Sequence, residues 1–473
     1  MVGEVMILAG PGKLQSCPTA VNRRAPCHFG RLCGPKAALR PRPILFRYNR
    51  VCGGSVDASE HQSRHLRCPF SDGPAWEDRR NHERTLTMTT LKDRDSNAEW
   101  SPPIQPNRSR RLEPDAAAPA LNGRWIGDAQ LPEWDALVQR HSMGTVFHLS
   151  GWKAAMEEAL SHVQGRFYGL FDAASGELVG GLPLCIVRSW LLGKRVVSVP
   201  YGTLNHPLLN DPEDLARIRG VVDSLQREVS AREACIRVRG SLPGMEDAGF
   251  RAVRSTWNHY LPLTEEPEKL KKNFSRTNVR QWIQRAEKAG LTVERLSAEH
   301  GIPVFYPMFV NTRRRLGLPW VPRKFFEAIY HHLAPRIESV FVAKSAGLPL
   351  AAVLTFQFKD MLSLEALGET DAAHKTGAVQ LIYWTAIQTA HHEGQRVVSF
   401  GQTEKDNEGL ARHKRGWGCL EETLTDYRYL PDSAKGSLSE IHSAGKRRLR
   451  PVFRKLPVWA GSMLSKFLYH HLG

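Results

Sequence analysis

The stretch that decides the fold is VVSFGQTEKDNEGLARHKRGWG, Val397 to Gly418. It opens with a strand-like run, continues through polar turn residues and closes on a short basic helix followed by Gly-Trp-Gly. Upstream, GAVQLIYWTAIQTAHHEG has the apolar period of a helix, and three strand-like runs between Ile337 and Glu369 predict an antiparallel meander. Meander, helix and strand together predict a layered α/β unit.

The same plan occurs earlier in the chain. RFYGLF and LVGGLPLCIV predict a hairpin, followed by the strand RVVSVP, a helix over residues 212–229 and the strand CIRVRG. We therefore predict an α/β (α+β layered) protein made of two similar units with mixed sheets, over residues 121–260 and 261–435. The second unit is expected to begin with one long helix, from Glu266 to the stop at Gly290.

Charge is unevenly distributed over the 473 residues, whose formal net charge is +17. Most of the excess lies at the two ends, so the nearly neutral middle argues against a DNA-binding body. Residues 1–120 lack a helix or strand period and are predicted to be largely disordered, while residues 436–473 form a basic amphipathic tail. The cysteines lack close pairs, so we expect no metal site. No apolar run is long enough to span a bilayer, and we expect a cytoplasmic or peripheral protein.

Four segments resemble the FemAB-like branch of the GNAT acyltransferase superfamily. They are the basic helix ending in Arg-Ala-Glu-Lys-Ala-Gly at 285–290, the element TRRRLGLPWVPRKFFEAIYHHL, the strand, loop and helix of ALGETDAAHKTGAVQLIYWTAIQTAHHEG, and the opening stretch itself. The resemblance covers roughly residues 120–435 and implies two tandem GNAT folds that transfer acyl or aminoacyl groups. His413, Ala378-Val379 and Val398 depart from the family pattern.

The resemblance implies catalytic roles for four residues. Lys414 would stabilise the charge of a tetrahedral intermediate, and Asp406 would orient Lys414 or accept the nucleophile's proton. Glu365 is a candidate general base and Tyr383 a candidate general acid. The plainer alternatives stay open: Lys414 in a solvated basic run, Asp406 as a helix cap and Tyr383 in the core. The sequence does not fix the face of Glu365.

Ligand-binding residues are implied in two places. The loop with Lys375, Thr376, Gly377 and Ala378 would hold the pyrophosphate of a donor, unless Thr376 only caps the following helix. The basic helix would bind an anionic substrate, unless it is a solvated face. The implied substrate-binding residues are Arg276, Arg280, Arg285, Asp371 and Trp417.

We therefore expect an N- or O-acyltransferase with no permanently bound cofactor. It would move an acyl group, acetyl in the simplest case, from acyl-CoA to an amine or hydroxyl of a cell-envelope or polysaccharide precursor. The first alternative is a Fem-type peptidyltransferase that uses aminoacyl-tRNA on a peptidoglycan precursor. The second is a non-catalytic, membrane-associated scaffold. The tail would contact an anionic membrane surface, unless it packs on its own domain.

Overall fold

The computed structural model describes residues 121–211, 214–240, 242–333, 338–430 and 449–471. The disorder predicted for residues 1–120 lies outside this range. Within it, twelve strands form one sheet. The strands are β1 (Leu121–Trp125), β2 (Val163–Asp172), β3 (Leu178–Ser189), β4 (Gly193–Val197), β5 (Glu233–Arg239), β6 (Arg251–Pro262), β7 (Thr292–Ser297), β8 (Glu338–Ser345), β9 (Leu348–Phe358), β10 (Met361–Glu369), β11 (Val397–Glu404) and β12 (Leu420–Tyr429).

Residues 449–455 are helical, and ten further α-helices of the described residues connect or cover the strands. They are α1 (Leu131–Arg140), α2 (Ser150–Ala159), α3 (Leu215–Glu228), α4 (Pro267–Asn273), α5 (Gln281–Lys288), α6 (Ala298–Leu316), α7 (Arg323–Leu333), α8 (Ala378–His392), α9 (Glu408–Arg415) and α10 (Val458–His471). Both α6 and α8 pack on β8, β9 and β10. Side chains of β9 are buried without interruption from Leu350 to Phe356, as expected for a strand that is covered on both faces.

The sheet repeats one plan from each edge inward. Strands β1 to β4 run antiparallel, and β4 then pairs in parallel with β5 across helix α3. From the other edge, β7 to β10 run antiparallel, and β10 pairs in parallel with β11 across helix α8. The predicted mixed α/β architecture of two similar units is confirmed.

The two halves exchange their last strands at the centre of the sheet. β12, from the second half, lies between β5 and β6, whereas β6, from the first half, lies between β12 and β11. Each half therefore completes the sheet of the other. A boundary between residues 260 and 261 falls inside β6, and the domain limits stay a prediction.

The single long helix expected from Glu266 to Gly290 is wrong. The helix stops after α4, because Phe274 and Ser275 adopt extended backbone conformations. The Phe274 ring packs against Trp417, with centroids 5.3 Å apart, and the Ser275 N–H donates to the carbonyl of Gly416 at 2.7 Å. Ser275 Oγ then accepts from Asn278 N–H at 3.3 Å and caps a short π-helical turn that leads into α5. Tertiary packing outweighs the helical period here.

Candidate active site

The parallel strands β10 and β11 diverge shortly after they begin. They pair at only three positions, Met361 to Ser363 with Val397 to Ser399, although both strands continue for several residues. Each strand is irregular just beyond this point, β10 between Leu364 and Ala366 and β11 between Ser399 and Gly401. The divergence frees backbone carbonyls of β11 from pairing with β10, so that another donor can reach them.

Lys414, on α9, supplies that donor. Its ammonium Nζ donates to the carbonyls of Gly401 at 2.9 Å and Gln402 at 3.1 Å, and the side chain is fully buried. Burial lowers the pKa of Lys414 to about 7, with Cys419 and Glu365 acting in the opposite direction. Its basic neighbours Arg412 and Arg415 are exposed. The alternative that Lys414 belongs to a solvated basic run therefore describes these neighbours but not Lys414 itself. An ammonium has three N–H donors, and two have acceptors among the described residues, which leaves one for a ligand.

Glu365 lies at the irregular position of β10, on a buried face. Burial raises its pKa to about 7, and the nearby Lys414 works against that rise. The sequence did not determine which face of β10 carries this residue. In the structure its side chain is buried and interacts electrostatically with Lys414. A carboxyl that titrates near neutrality has the acidity that a general base needs.

His259, which the sequence analysis missed, lies in the same neighbourhood. It is fully buried on β6, and burial, followed by the charges of Lys414 and Arg415, lowers its pKa to about 3, so the imidazole is neutral. Its Nε2 lies 3.1 Å from a carboxylate oxygen of Glu421, at an angle unsuitable for a hydrogen bond. His259 reaches the second half only because β6 is exchanged, and no local sequence pattern predicts this exchange.

Tyr383 and Trp417 lie in a buried aromatic cluster. The Tyr383 ring centroid is 5.6 Å from those of both Phe400 and Trp417. Neither the Tyr383 hydroxyl nor the Trp417 Nε1 has a hydrogen-bond partner among the described residues. Burial, together with the charge of Glu369, raises the pKa of Tyr383 far above its ordinary value, so the hydroxyl keeps its proton. The role of Tyr383 as a proton donor to a leaving group stays a prediction.

The two aspartates lie apart from this buried group. Asp406 is exposed in the turn between β11 and α9, and the residue that caps α9 is Asn407, whose Oδ1 accepts from Leu410 N–H at 3.3 Å. The alternative that Asp406 caps this helix is therefore wrong. Asp371 is exposed just after β10 and accepts from Asn311 Nδ2 at 3.2 Å. Glu365, not Asp406, is the carboxylate whose charge acts on Lys414.

The loop between β10 and α8 is largely occupied with its own contacts. The Thr376 N–H donates to the carbonyl of Ala373 at 3.2 Å, and the Ala378 N–H donates to Thr376 Oγ1, also at 3.2 Å. Gly377 has φ 84°, and a Cβ there would lie 2.2 Å from the carbonyl oxygen of Trp282 on α5. Packing against α5 thus explains this glycine, and Thr376 acts as a cap. Lys375 is exposed and is the member of the loop best placed to meet an anion.

The basic segment, which runs from α4 through α5, lies beside the Lys414 segment, which is α9 and the following Gly416 and Trp417. The Ser275–Gly416 hydrogen bond ties the two backbones, and Lys271 Nζ lies 4.5 Å from the Trp384 ring centroid. Arg276 and Arg285 are exposed, while the Nε of the half-buried Arg280 has no acceptor among the described residues. The continuous basic helix expected from the sequence does not exist, because the helix breaks at Phe274. The positive charge nevertheless stays close to α9.

A mostly covered ionic network between β5 and the exchanged strand β12 borders the site. Arg237 on β5 donates to both carboxylate oxygens of Asp426 on β12, at 2.6 and 3.0 Å, and to Gln402 Oε1 at 3.1 Å. Gln402 is also the residue whose carbonyl receives Lys414. Arg239 and Glu422 form a second pair on the same two strands. These contacts join β5, β12 and β11 around the carbonyls that hold Lys414.

Among the described residues, Glu158, His331 and His332 are the group whose donor atoms could bind one metal ion. A Glu158 carboxylate oxygen lies 2.9 Å from His332 Nε2 and 3.4 Å from His331 Nδ1. The cluster joins α2 to α7 near the surface. It contains none of the predicted site residues.

Comparison with known proteins gives one family and one fold. Residues 273–415 match the family model described as an acetyltransferase (GNAT) domain. The crystal structure of FemX is 16% identical, with a TM-score of 0.53 over 69% of this chain and all of FemX. A tandem GNAT protein of the clavulanic acid biosynthesis pathway is 12% identical, with a TM-score of 0.43 over 67% of this chain and all of that one. No curated protein sequence matches the chain.

The matched segment contains Lys414, Glu365 and the diverging strands, so the family match and the buried site coincide. The similarity to FemX extends the likeness in fold to most of the described chain. The described chain thus has the fold of FemX, and its residues 273–415 are similar to the acetyltransferase (GNAT) domain family.

Proposed function

We propose that this protein transfers an acyl group, acetyl in the simplest case, from acyl-CoA to an amine or hydroxyl of a cell-envelope or polysaccharide precursor. The observation that carries the proposal is the buried Lys414 and Glu365 group at the divergence of β10 and β11, with both pKa values near 7. The acetyltransferase description of the matching family supports acyl-CoA as the donor.

The residues suggest a division of labour. Glu365, when ionised, takes the proton from the attacking amine or hydroxyl. The ammonium of Lys414, held by two carbonyls, directs its remaining N–H at the oxygen that becomes negative. Tyr383, which is protonated before the reaction, donates its proton to the leaving group, and the proton that Glu365 has taken from the nucleophile then restores the tyrosine. Lys414 and Tyr383 are fully buried, so substrates reach them only after the covering side chains move.

A second function has its own support. The basic segment is tied to the Lys414 segment through Ser275 and Gly416, and two N–H groups of the β10–α8 loop are already used inside the loop. Both observations favour a large anionic ligand over a compact pyrophosphate. An aminoacyl-tRNA donor, with a peptidoglycan precursor as acceptor, would fit them. Binding of tRNA depends steeply on salt because counterions are released, which separates the two donors.

The test is a pair of calorimetric titrations of the full chain, one with acetyl-CoA and one with a mixed pool of aminoacyl-tRNA. Saturable binding of acetyl-CoA that changes little with salt supports the first proposal. Binding of tRNA that weakens about tenfold or more with added salt supports the second. No binding of either donor contradicts both and leaves the non-catalytic scaffold.

Two variants show whether Lys414 carries the reaction with whichever donor binds. Lys414→Met removes the buried ammonium, and Arg412→Met removes an exposed charge from the same helix. We expect the first to lower kcat about a hundredfold or more, as loss of an oxyanion donor does, and the second to change it less than about threefold. Equal effects of the two substitutions would contradict the assignment of Lys414.

A further inference from the structure

The last helix, α10, is docked through its small and polar residues. A Cβ on Gly461 would lie 2.4 Å from the ring of Trp320, so only glycine permits this approach. The Trp320 N–H donates to Ser465 Oγ at 3.2 Å, one turn further along, and Tyr469 is buried one turn beyond that. Positions 461, 465 and 469 therefore form the face that contacts the protein.

Large apolar side chains occupy the opposite face of α10. Trp459, Met463 and Phe467 follow one another at four-residue spacing and are 69%, 68% and 45% exposed. A helix that serves only to cover a core would show the reverse arrangement. The packing of α10 therefore does not explain these three exposed side chains.

A second element extends this face. The turn between β3 and β4 exposes Trp190 at 72% and Leu191 at 56%. The rings of Trp190 and Phe467 lie 5.9 Å apart, so the turn and the helix form one continuous surface. Two hydrogen bonds fix them together: Ser189 Oγ pairs with His471 Nδ1 at 2.8 Å, and Arg195 donates to the carbonyl of His471 at 2.9 Å. We call Trp190, Leu191, Trp459, Met463 and Phe467 the aromatic ridge.

The two segments that carry the aromatic ridge have charges of one sign. Neither residues 449–471 nor residues 186–197 contain an aspartate or a glutamate. The exposed basic residues of these two segments are Arg188, Lys194, Arg450, Arg454, Lys455 and Lys466. A second copy of the chain would bring like charges together, whereas an anionic lipid surface complements them.

We propose that the aromatic ridge docks this protein on an anionic membrane surface, with Trp190, Trp459 and Phe467 inserted among the headgroups and the basic residues in contact with lipid phosphates. Aromatic side chains flanked by Lys and Arg are typical of helices that lie in the interface plane. Among the described residues no helix is long and apolar enough to cross a bilayer, and docking at the surface requires none. The proposal does not depend on the acyl transfer proposed above, because neither donor nor acceptor takes part in docking.

The test is cosedimentation of the full chain with vesicles of phosphatidylcholine, alone or mixed with phosphatidylglycerol. We expect partition into the mixed vesicles to exceed partition into the neutral ones, and to fall about tenfold or more when Trp459, Met463 and Phe467 are all changed to Ser. Trp190→Ser with Leu191→Ser should weaken it independently, because it alters the other element of the ridge.

The matched control is Leu348→Ser, at an equally exposed apolar residue at the start of β9, and it should leave partition unchanged. Circular dichroism and the thermal midpoint establish that each variant is folded. Equal partition into neutral and anionic vesicles, or none into either, would overturn the proposal. So would a dimer in light scattering that the ridge substitutions dissociate while vesicle binding is absent, since the ridge would then contact a second copy.

Discussion

At the scale of single residues, Lys414 and Glu365 predict how the proposed reaction depends on pH. Glu365 accepts a proton only when ionised, so kcat/KM rises as the pH rises through about 7, the value to which burial raises its pKa. Lys414 stabilises negative charge only when protonated, so kcat/KM falls as the pH rises above about 7, the value to which burial lowers its pKa. We expect a narrow bell with its maximum near neutrality, measured from initial rates across the pH range.

Substitutions of Lys414 assign the two limbs. In Lys414→Arg the basic limb moves to higher pH, because a guanidinium keeps its proton. In Lys414→Met the residual activity loses the basic limb, and its acidic limb moves to higher pH, because the positive charge that favours the Glu365 carboxylate is gone. A profile of Lys414→Arg that superimposes on that of the unmodified chain would assign the basic limb to another group.

Gly377 is the residue at which backbone conformation and packing act together. Its φ of 84° disfavours any side chain, and a Cβ would also meet the Trp282 carbonyl oxygen at 2.2 Å. Gly347, in the turn between β8 and β9, has a similar φ of 79° but open space around it. We expect Gly347→Ala to lower the free energy of unfolding by about 1 kcal/mol and Gly377→Ala by at least about 2 kcal/mol more, in urea titrations. Equal losses would show that α5 moves aside freely.

At the scale of secondary-structure elements, Asp426 holds the exchanged strand β12 in place. Burial alone would raise its pKa, but Arg237 and Arg254 more than offset that effect, and the net pKa is lowered. We expect Asp426→Asn to lower the free energy of unfolding by about 2 kcal/mol, because the mostly covered Arg237 then loses its carboxylate partner. Glu327→Gln, which breaks an exposed pair with Arg323, should lower it by less than about 1 kcal/mol. Comparable losses in the two variants would mean that the network on β12 is fully hydrated.

The same strand shows why sequence patterns predicted some elements and missed others. β8, β9 and β10 have apolar runs separated by turns, so their existence follows from the residues alone. β12 buries Glu422 and keeps Asp426 mostly covered, and both carboxylates are neutralised by arginines of β5. A strand whose inward residues are charged has no apolar alternation, and its partners are far away in the sequence. β6 was missed for a related reason, since its buried positions include Asn258 and His259.

The candidate site also contains some residues that the sequence predicted and others that it did not. Lys414, Glu365 and Tyr383 were predicted from a family resemblance and from strand and helix positions, and the structure places all three in the buried interior of the second half. Their assignment as catalytic residues stays a prediction. His259, whose pKa Lys414 helps to lower, reaches this neighbourhood only through the long-range pairing of β6 with β11. Such pairing cannot be derived from a local period.

At the scale of the whole molecule, strand exchange predicts that the second half needs β6. A fragment of residues 251–471 keeps β6 between β11 and β12, and hence a continuous seven-stranded sheet. A fragment of residues 263–471 begins after β6, so β12 has no neighbour and β11 loses its pairing from Val397 to Glu404. Both fragments contain the whole segment that matches the acetyltransferase family, so they differ only in the twelve residues of β6.

We expect the longer fragment to unfold in one cooperative thermal transition by calorimetry, and the shorter one to show none or a midpoint lowered by about 10 °C or more. The twelve residues of β6 provide backbone hydrogen bonds on both edges and bury His259 and Asn258, so their loss exposes polar backbone on two strands at once. Matching midpoints for the two fragments would mean that β11 and β12 pair directly when β6 is absent. In that case the boundary near residue 260 would be a true domain limit.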